Sequence, residues 1–518
     1  MTTAIDCEKF RLRRLVERLI ELGEVDIHDE PVALGDMSGI IEATTKATLF
    51  RNAGPDKLEI VGAVGGSRRR VAAAFEVDER AVTREVMRRL ANPQTVVEVP
   101  RGDAPVQAVV LTGDQIDLSR LPFHLQHEHD GGCYISSGLD ITVDPVTAKR
   151  NVGARRLMLR GRRQMSTNLT DNSDLKTSYL AAVARKQGLP ISFAIGSSPI
   201  DLFTSGLKIP TDEFALMGTL RGAAMPMVRG VSNGLLVPAD AEMVIEGYLD
   251  EHGYRVMDGP YGEFWGYYGA MHIDPIVQVT AITMRRDVLF QTTLHGPLKL
   301  SRQDASHTSG IAAEMLCIRA LKAAGIEPVA VFSPPSSPIF HAMRVSLADA
   351  TPELARKAME ALFQVKGVKN IVIVDDDIDV FDDDSVTWAM STRFVADQDL
   401  LIPSKRLEPF YADPKADADG LVSKVGYDLT DPTSKSTDIK FKRPRPPVIQ
   451  ATQSNASVRQ ALETGPKYFI DILQAVGSRD GREVALELEL LRQAGELTRL
   501  DNGEYALLSQ TPGRARVD

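Results

Sequence analysis

The chain has few cysteines and no long hydrophobic run. Its 518 residues include 3 cysteines, Cys7, Cys133 and Cys317, which lack the paired spacing of a zinc site or a disulfide framework. No apolar stretch approaches the roughly 20 residues of a membrane-spanning helix, and the N-terminal segment does not resemble a signal peptide. We therefore expect a cytoplasmic protein in a reducing compartment, without a membrane partner.

The chain also lacks an excess of positive charge. It contains 60 lysine and arginine residues against 70 acidic residues, which gives a formal net charge of -10. Because nucleic-acid binding normally needs a basic surface, we do not expect a nucleic-acid partner and expect small molecules instead. The length suffices for about three domains at roughly 150 residues each.

Hydrophobic periodicity divides the chain into segments of different character. It predicts an amphipathic helix at residues 8–22, ended by Gly23, and mainly short strands from about 105 to 300. After about residue 325, strands alternate with a helix near residues 352–364, which is typical of a βαβ arrangement. The predicted fold class is α/β, in the sense of an α+β multidomain protein.

The C-terminal tail is predicted to be a separate module. Three prolines lie between residues 444 and 447, so this region is interpreted as part of a linker over residues 441–456. Two helical segments and a hairpin signal at Asn502-Gly503 follow, in the order of a winged helix. From Ser457 onward there are eight basic and ten acidic residues, so we expect a subunit contact rather than DNA binding.

One group of candidate functional residues combines Asn151 with Glu246. Hard divalent cations such as manganese and magnesium prefer amide and carboxylate oxygens and often bridge to a phosphate. The segment beginning at Pro238 is predicted to form a helix that places Glu242 and Glu246 on one face. From the spacing alone, a solvated acidic helix face is the alternative interpretation.

A second group combines Arg156 with Asp258 and Glu263. The two acids flank the turn Asp258-Gly-Pro-Tyr-Gly-Glu263, whose glycines allow the carboxylates to converge. An arginine between two carboxylates can orient them and bind a substrate carboxylate, while an acid with a raised pKa can donate a proton. A turn with an ordinary salt bridge is the alternative.

Taken together, these residues resemble the UbiD family of prenylated-FMN-dependent decarboxylases. The resemblance runs from about residue 8 to 435 and implies an N-terminal α/β domain, a central flavin-reductase-like split β-barrel, and a C-terminal α/β oligomerisation domain. The expected boundaries are 1–110 (completed by 300–325), 111–300 and 326–440, followed by the linker and a winged-helix-like tail at 457–518. The motifs that carry the resemblance are Asp130-Gly-Gly-Cys-Tyr134, Asn151-Val-Gly-Ala-Arg-Arg156, Leu189-Pro-Ile-Ser-Phe-Ala194, Val237-Pro-Ala-Asp-Ala-Glu-Met-Val-Ile-Glu-Gly247, Asp258-Gly-Pro-Tyr-Gly-Glu263, Val374-Asp-Asp-Asp-Ile-Asp379, Trp388-Ala-Met-Ser-Thr-Arg393 and Lys424-Val-Gly-Tyr-Asp428.

The resemblance also implies roles for individual residues. Arg156, Asp258 and Glu263 match the family's catalytic acid-arginine-acid network, with Glu263 as the proton donor. Similar proteins carry a histidine as third metal ligand, but residues 165–174 contain none; Asn172 is the nearest substitute, with Asp174 or Thr170 as alternatives. The remaining implied assignments are cofactor contacts for Asn151, Val152, Arg155, Arg156 and Glu246, and metal ligands Asn151, Glu246 and Asn172.

The activity implied by the resemblance is reversible, non-oxidative decarboxylation of an aromatic or heteroaromatic acid through a covalent adduct with prenylated FMN. The flavin would accept the electrons that carbon dioxide leaves behind. A divalent metal (manganese or magnesium), potassium, a flavin prenyltransferase that supplies the cofactor, and a homodimer or homohexamer are also implied. The alternatives are a decarboxylase of an α,β-unsaturated, cinnamate-type acid, or a cofactor-deficient member with a regulatory or scaffold role.

Overall fold

The larger part of the chain has three layers, numbered in sequence order: an open sheet with helices, a closed β-barrel, and a second open sheet with helices. The computed structural model describes residues 5–169, 173–337, 341–404, 413–431, 443–450 and 455–510. It forms two compact units, Met1–Thr430 and Asp431–Asp518. The predicted α/β multidomain class is confirmed. Within the described residues, no helix is long and apolar enough to cross a membrane.

The first layer is a four-stranded sheet with flanking helices, in the strand order β1-β2-β3-β18. The predicted helix at residues 8–22 is present, and it buries Leu12, Val16 and Leu19 on one face. Gly23 follows it with a φ of 71°, the left-handed conformation that favours glycine at a helix end. The elements are α1 (Leu12–Glu21), β1 (Val25–His28), α2 (Met37–Ala43), β2 (Ala47–Ala53), β3 (Leu58–Gly62), α3 (Arg68–Phe75), α4 (Val82–Leu90) and β18 (Phe290–Thr292).

The barrel consists of six strands in the order β12-β9-β6-β7-β8-β17, closed by pairing between β12 and β17. Closure leaves no unpaired edge between these strands. Barrel residues contribute to the largest hydrophobic cluster among the described residues, which extends to the first sheet. The strands of the barrel and of its additions are β4 (Val96–Glu98), β5 (Val109–Thr112), β6 (Tyr134–Val143), β7 (Arg150–Gly161), β8 (Gln164–Thr167), β9 (Leu189–Ile195), β10 (Met225–Arg229), β11 (Leu236–Pro238), β12 (Met243–Leu249) and β17 (Ile276–Met284).

Three helices and two short ribbons complete this part of the chain. The ribbons are two-stranded and antiparallel, and they lie in sequence between β12 and β17. The helices are α5 (Asp174–Ala184), α6 (Pro199–Ser205) and α7 (Glu213–Arg221), and the ribbon strands are β13 (Val256–Asp258), β14 (Tyr261–Gly262), β15 (Tyr268–Gly269) and β16 (His272–Asp274).

The prediction of a helix that begins at Pro238 is wrong, because the segment forms β11 and β12 instead. Strand β12 pairs with β9 on one side and β17 on the other, so both of its edges carry ladder hydrogen bonds. Both faces are also buried, and Glu242 and Glu246 are each 0% exposed. A strand that is buried on both faces lacks the alternating pattern that separates a strand from a helix in sequence.

The third layer is a five-stranded sheet in the order β19-β20-β21-β23-β22, with parallel pairing from β20 to β21 and from β21 to β23. The predicted helix near residues 352–364 connects β20 to β21, which gives the expected βαβ unit. The elements are α8 (Asp304–Ala323), β19 (Ala330–Phe332), β20 (Ala342–Leu347), α9 (Pro352–Phe363), β21 (Asn370–Asp375), α10 (Asp383–Thr392), β22 (Leu400–Leu401) and β23 (Val425–Asp428).

The smaller unit has its own hydrophobic core. Its described residues form three helices and the hairpin that Asn502-Gly503 predicts, and buried Leu462, Ile472 and Leu488 lie in that core. Of the predicted linker, residues 451–454 lie outside the described residues. The elements are α11 (Val458–Glu463), α12 (Phe469–Ala475), α13 (Arg482–Gln493), β24 (Leu497–Arg499) and β25 (Tyr505–Leu507).

A buried ion triad connects α6 and α7 to the loop before β12. Arg221, whose side chain is 2% exposed, contacts Asp201 and Asp240 at 2.5 Å each. Since α7 begins beside the start of β7, this triad also determines how the first turn of α7 lies against the barrel. Loss of the guanidinium would leave two carboxylates buried without their partner.

We expect Arg221→Met to lower the free energy of unfolding by about 3–5 kcal/mol, because it removes the cation from a buried ion pair network. Urea unfolding followed by circular dichroism measures this change. Arg229→Met is the matched control, since Arg229 pairs with Glu98 but is 63% exposed. It should change stability by less than about 1 kcal/mol. Equal effects of the two substitutions would contradict the assignment.

Candidate active site

Arg156 lies between the two predicted acids. Its Nη1 donates a hydrogen bond to Glu263 Oε1 at 2.6 Å, and its Nη2 donates to Asp258 Oδ1 at 3.2 Å. The arginine side chain is 7% exposed, while the two acids are 14% and 1% exposed respectively. The three residues that the resemblance implies as catalytic thus lie together in a nearly buried cluster.

Several strands position this acid-arginine cluster. Arg156 lies in the middle of β7, whereas Asp258 is the last residue of ribbon strand β13. Ser166 on β8 donates from Oγ to Asp258 Oδ2 at 2.8 Å, and the hydroxyl of Tyr134 on β6 donates to Oδ1 at 3.2 Å. Three barrel strands therefore orient one carboxylate that belongs to a ribbon outside the barrel.

The segment before β6 supports the turn between the two acids. Asp130 Oδ1 accepts the N–H of Gly262 at 2.9 Å, and the N–H of Gly131 donates to the Pro260 carbonyl at 2.8 Å. A Cβ atom at Gly131 would lie only 2.0 Å from the Gly259 carbonyl oxygen, so this close approach requires glycine. The Asp-Gly-Gly motif of the sequence thus acts as a support for the acidic turn.

The electrostatics of the cluster favour a charged arginine. Burial disfavours the cation, but the carboxylates of Glu263 and Asp258 outweigh burial and raise the pKa of Arg156. The guanidinium carbon also lies 4.5 Å from the centre of the Tyr261 ring and 5.6 Å from that of Tyr134. Within the described part of the chain, its buried Nε has no hydrogen-bond partner, which leaves capacity for one more acceptor.

The other predicted cofactor residues of β7 have different surroundings. Asn151 Nδ2 lies 3.5 Å from Asp140 Oδ2, and Arg155 Nε lies 3.2 Å from Asp140 Oδ1, so both side chains share one face of the strand. The side chain of Val152 is 5% exposed and belongs to a hydrophobic cluster on the opposite face. Only the backbone of Val152 is therefore available to a polar ligand.

Glu246 does not lie with Asn151. Its Oε1 accepts the backbone N–H of Val231 at 2.9 Å, and its Oε2 accepts the N–H and the hydroxyl of Ser232 at 2.7 and 2.9 Å. Counted across three strand pairings, Glu246 is in register with Val152, the residue next to Asn151. Its side chain therefore lies on the opposite face of the sheet from that of Asn151. Its carboxylate is therefore engaged with a neighbouring turn on the other face of the sheet.

Two other carboxylates lie close to the start of β7. The neighbouring Arg150 contacts Asp212 at 2.9 Å, which places the start of β7 beside the first turn of α7. Burial raises the pKa of Glu213, and the nearby carboxylates of Asp212 and Asp174 add to this shift. The first turns of α5 and α7 thus bring Asp174 and Glu213 together here. Asn172 and Thr170 lie outside the described residues.

One cluster with the residue types of a metal site exists among the described residues. Asp258, His272 and Asp274 each offer a ligand atom, and these atoms lie within 4.8 Å of one another. However, Arg156 Nη2 lies 3.1 Å from His272 Nε2 and 3.2 Å from Asp258 Oδ1. A guanidinium already supplies the positive charge there, so a metal ion would be repelled.

Sequence reasoning did not single out Ser166, Tyr261, His272 or Glu213. Ser166 and His272 contact the acid-arginine cluster only because distant strands meet, whereas Tyr261 lies within the acidic turn itself. Glu213 had a local signal, because the side chain of Asp212 caps α7 and an acid follows in the first turn. That pattern predicts a helix start, and only the tertiary contact to β7 indicates a ligand role.

Three family models match successive parts of the chain. The N-terminal domain model of the UbiD 3-octaprenyl-4-hydroxybenzoate carboxy-lyases matches residues 16–90. The Rift-related domain model matches residues 97–298, and the C-terminal domain model matches residues 306–429. The matched ranges include the acid-arginine cluster and both helix starts near Asn151.

Solved structures are similar over most of the chain. The UbiD-class enzyme HmfF from Pelotomaculum thermopropionicum in complex with FMN is 27% identical, with a TM-score of 0.77 over 84% of this chain and 97% of that chain. An evolved dimeric form of that enzyme in complex with prFMN is 26% identical, with a TM-score of 0.75 and coverages of 85% and 97%. The 3,4-dihydroxybenzoic acid decarboxylase AroY of Klebsiella pneumoniae is 25% identical, with a TM-score of 0.75 and coverages of 86% and 98%.

The hydrogen bonds of Glu246 predict a mainly structural effect of its removal. We expect Glu246→Ala to lower the free energy of unfolding by about 1–3 kcal/mol, because the N–H groups of the neighbouring turn lose their acceptor. Urea unfolding measures the change. Glu251→Ala is the control, since that side chain is 39% exposed and should contribute little. A stability loss no larger than that of the control would show that the carboxylate is not needed by the turn.

Proposed function

The chain belongs to the UbiD family of carboxy-lyases, and we propose that it reversibly decarboxylates an aromatic or heteroaromatic acid with prenylated FMN as its cofactor. The observation that carries this proposal is the nearly buried arginine between two carboxylates, Arg156 with Asp258 and Glu263. The similarity to HmfF and to the 3,4-dihydroxybenzoic acid decarboxylase supports an aromatic acid as the substrate class.

The arginine is proposed to bind the carboxylate of the substrate. A guanidinium can form charge-assisted hydrogen bonds to a carboxylate, and these are stronger where water is excluded. Arg156 is 7% exposed and retains one N–H without a partner in the described residues, so an additional acceptor can be accommodated. Tyr261 and Tyr134 cover its face and would exclude water from the same place.

The two acids are proposed to divide the proton transfer between them. Asp258 accepts hydrogen bonds from Tyr134, Ser166 and Arg156, so its position is fully determined by the barrel. Glu263 lies nearer to solvent, at 14% exposure against 1%, and can exchange its proton with water between turnovers. These differences support Glu263 as the acid that protonates the product carbon.

The cofactor is proposed to lie along β7. When bound, prenylated FMN supplies an electrophilic carbon that accepts the electron pair left by carbon dioxide. Asn151 would contact its phosphate end and Arg156 its reactive end, at positions that strand geometry separates by about 16 Å, and Arg155 would contact the cofactor between them. The start of α7 lies beside the start of β7, and a helix N-terminus favours an anion such as a phosphate.

For the divalent metal, we replace Glu246 by Glu213 in the proposed ligand set. Glu246 does not fit, because its oxygens accept hydrogen bonds from Val231 and Ser232. Glu213 fits, since its carboxylate lies near that of Asp174, and a cation relieves the repulsion between them. Asn151, Asp174 and Glu213 are the proposed ligands, and manganese or magnesium is the proposed ion, with potassium as an accompanying cation. Asn172 remains the alternative to Asp174.

The assembly is proposed to be a homo-oligomer, for which the evolved dimeric form of HmfF gives support. A separate flavin prenyltransferase is the proposed source of the cofactor. The proposed division into an N-terminal domain, a cofactor-binding barrel and a C-terminal domain agrees with the order of the matching family models. The tail from residue 457 onward lies outside all three models.

Co-production with a flavin prenyltransferase tests the activity. We expect prenylated FMN to be detected by mass spectrometry of the purified protein, and carbon dioxide to be released from at least one member of a panel of aromatic acids. Cinnamate-type acids in the same panel test the other substrate class. If the protein carries no modified flavin and converts no acid, the proposed function is wrong.

Glu263→Gln tests the proton-transfer role. We expect the variant to bind the cofactor normally but to lose at least about a hundredfold in kcat, because positioned general acids contribute roughly 10²–10⁴ in rate. Glu251→Gln is the control, since that exposed residue lies away from the cluster. Unchanged turnover of Glu263→Gln would remove Glu263 from this role.

Glu213→Gln tests the revised metal site. We expect its manganese affinity, measured by titration calorimetry, to fall at least about tenfold, because losing even an outer contact of a metal site costs that much. Glu246→Gln should keep its affinity within about twofold, provided that unfolding measurements show it is folded. The opposite order of the two effects would restore Glu246 as the ligand.

A further inference from the structure

The ribbon that carries Asp258 also brings a histidine to Arg156. Strands β13 and β16 pair in antiparallel register, with Asp258 opposite His272 and Val256 opposite Asp274. His272 Nε2 lies 3.1 Å from Arg156 Nη2, the same nitrogen that donates to Asp258. The histidine is therefore a direct neighbour of the guanidinium, although 116 residues separate them in sequence.

This contact determines the tautomer of the histidine. Every guanidinium nitrogen is a donor and none is an acceptor, so His272 Nε2 must accept with its lone pair. In a neutral ring the proton then lies on Nδ1, and a doubly protonated ring would have no acceptor for Arg156. The arginine thus selects the His272 tautomer that carries its proton on Nδ1.

A fully buried carboxylate lies on the other side of the ring. Asp274 is 0% exposed, and its Oδ2 is 2.9 Å from His272 Nδ1. Its Oδ1 accepts the N–H of Leu169 at 2.9 Å, which anchors the carboxylate to the chain after β8. Among the described residues, neither Nδ1 nor Oδ2 has another polar partner, and the line of the N–H bond does not point directly at the oxygen. The two atoms are close enough for a hydrogen bond once the ring rotates to align them.

We propose that His272 and Asp274 form a positioning pair for Arg156 and, through it, for the reaction at Glu263. Asp274 orients His272 with its proton on Nδ1, and His272 in turn accepts from the guanidinium and limits its rotation. This inference rests on the proposed decarboxylase function, but the histidine tautomer can be measured without it.

Asp274→Asn is the decisive substitution because it preserves shape and reverses one hydrogen bond. With the asparagine carbonyl on the N–H of Leu169, its amide donates toward His272 Nδ1 and forces the ring proton onto Nε2. An N–H on Nε2 would point at the N–H donor of Arg156, and the hydrogen bond between the two residues would be lost. We expect kcat/KM to fall about tenfold to a hundredfold, the usual cost of losing an outer-shell partner, with unchanged cofactor content.

His272→Gln separates positioning from general packing. A glutamine can accept from Arg156 through its carbonyl oxygen and has no ring tautomer, so this variant should keep most of the activity. His272→Leu should lose as much as Asp274→Asn. In a His272→Gln background, Asp274→Asn should cause little further loss, and this non-additivity is the signature of a tautomer effect. His252→Gln, at an exposed histidine, is the control.

Nuclear magnetic resonance of protein with ¹⁵N-labelled histidine measures the tautomer directly, with His272→Gln used to assign the signal. We expect Nδ1 protonated in the unmodified chain and Nε2 protonated in Asp274→Asn. A ring protonated on Nε2 in the unmodified chain, or a tautomer unaffected by Asp274→Asn, would overturn the pairing. A shift of the His272 signal on adding zinc would also overturn it and indicate a metal site.

The two kinds of failure are distinguishable. If no acid is decarboxylated by the cofactor-loaded protein, the proposed function fails, while the resonance measurement still decides the tautomer. If decarboxylation occurs but Asp274→Asn retains full activity, the positioning role fails while the function stands. Cofactor content and thermal unfolding of each variant show whether a loss of activity has a trivial structural origin.

Discussion

The structure around the site depends on the requirement that a buried guanidinium be surrounded by acceptors. A charge removed from water costs several kcal/mol unless its partners replace the lost hydration. Arg156 meets this requirement with two carboxylates, a histidine nitrogen and two aromatic faces. Those partners come from the barrel and from two ribbons, so the charge connects elements that lie far apart in sequence.

The same principle separates structural from functional acids in this chain. The carboxylate oxygens of Glu246 accept hydrogen bonds from a neighbouring turn, and those of the two acids in the triad accept hydrogen bonds from Arg221. In both cases the donors are part of the folded protein. Glu213 is different, because burial and the nearby carboxylates of Asp212 and Asp174 raise its pKa despite a backbone hydrogen bond and the nearby Arg150. An acid that is poorly compensated by the protein alone is the better candidate for a ligand or a proton.

Local patterns in the sequence predicted elements well where one face is buried and the other solvated. Helix α1, helix α9 and the hairpin of the tail are of this kind. Strand β12 was mistaken for a helix because the closed barrel buries both of its faces and pairs both of its edges. In such a strand, hydrophobic residues do not alternate with polar ones, so hydrophobic periodicity alone cannot identify the strand.

The site was predictable only in part, for a related reason. Resemblance to a family placed Arg156, Asp258 and Glu263 together, whereas spacing alone gave two acids on a turn. The exchange of Glu246 for Glu213 depends on strand register across three ladders, which no local pattern encodes. His272 depends on the register of a ribbon that is two strands wide.

The two ribbons between β12 and β17 have a further consequence for the acid half of the site. An isolated two-stranded ribbon is only marginally stable in water, so its order must come from contacts beyond its own ladder. For β13 and β16, those contacts include Arg156, Ser166 and Tyr134. The acid-arginine cluster and the fold of the ribbon are therefore thermodynamically coupled. A substitution at the arginine removes order as well as charge, and the resulting loss of activity cannot be divided between chemistry and folding by kinetics alone.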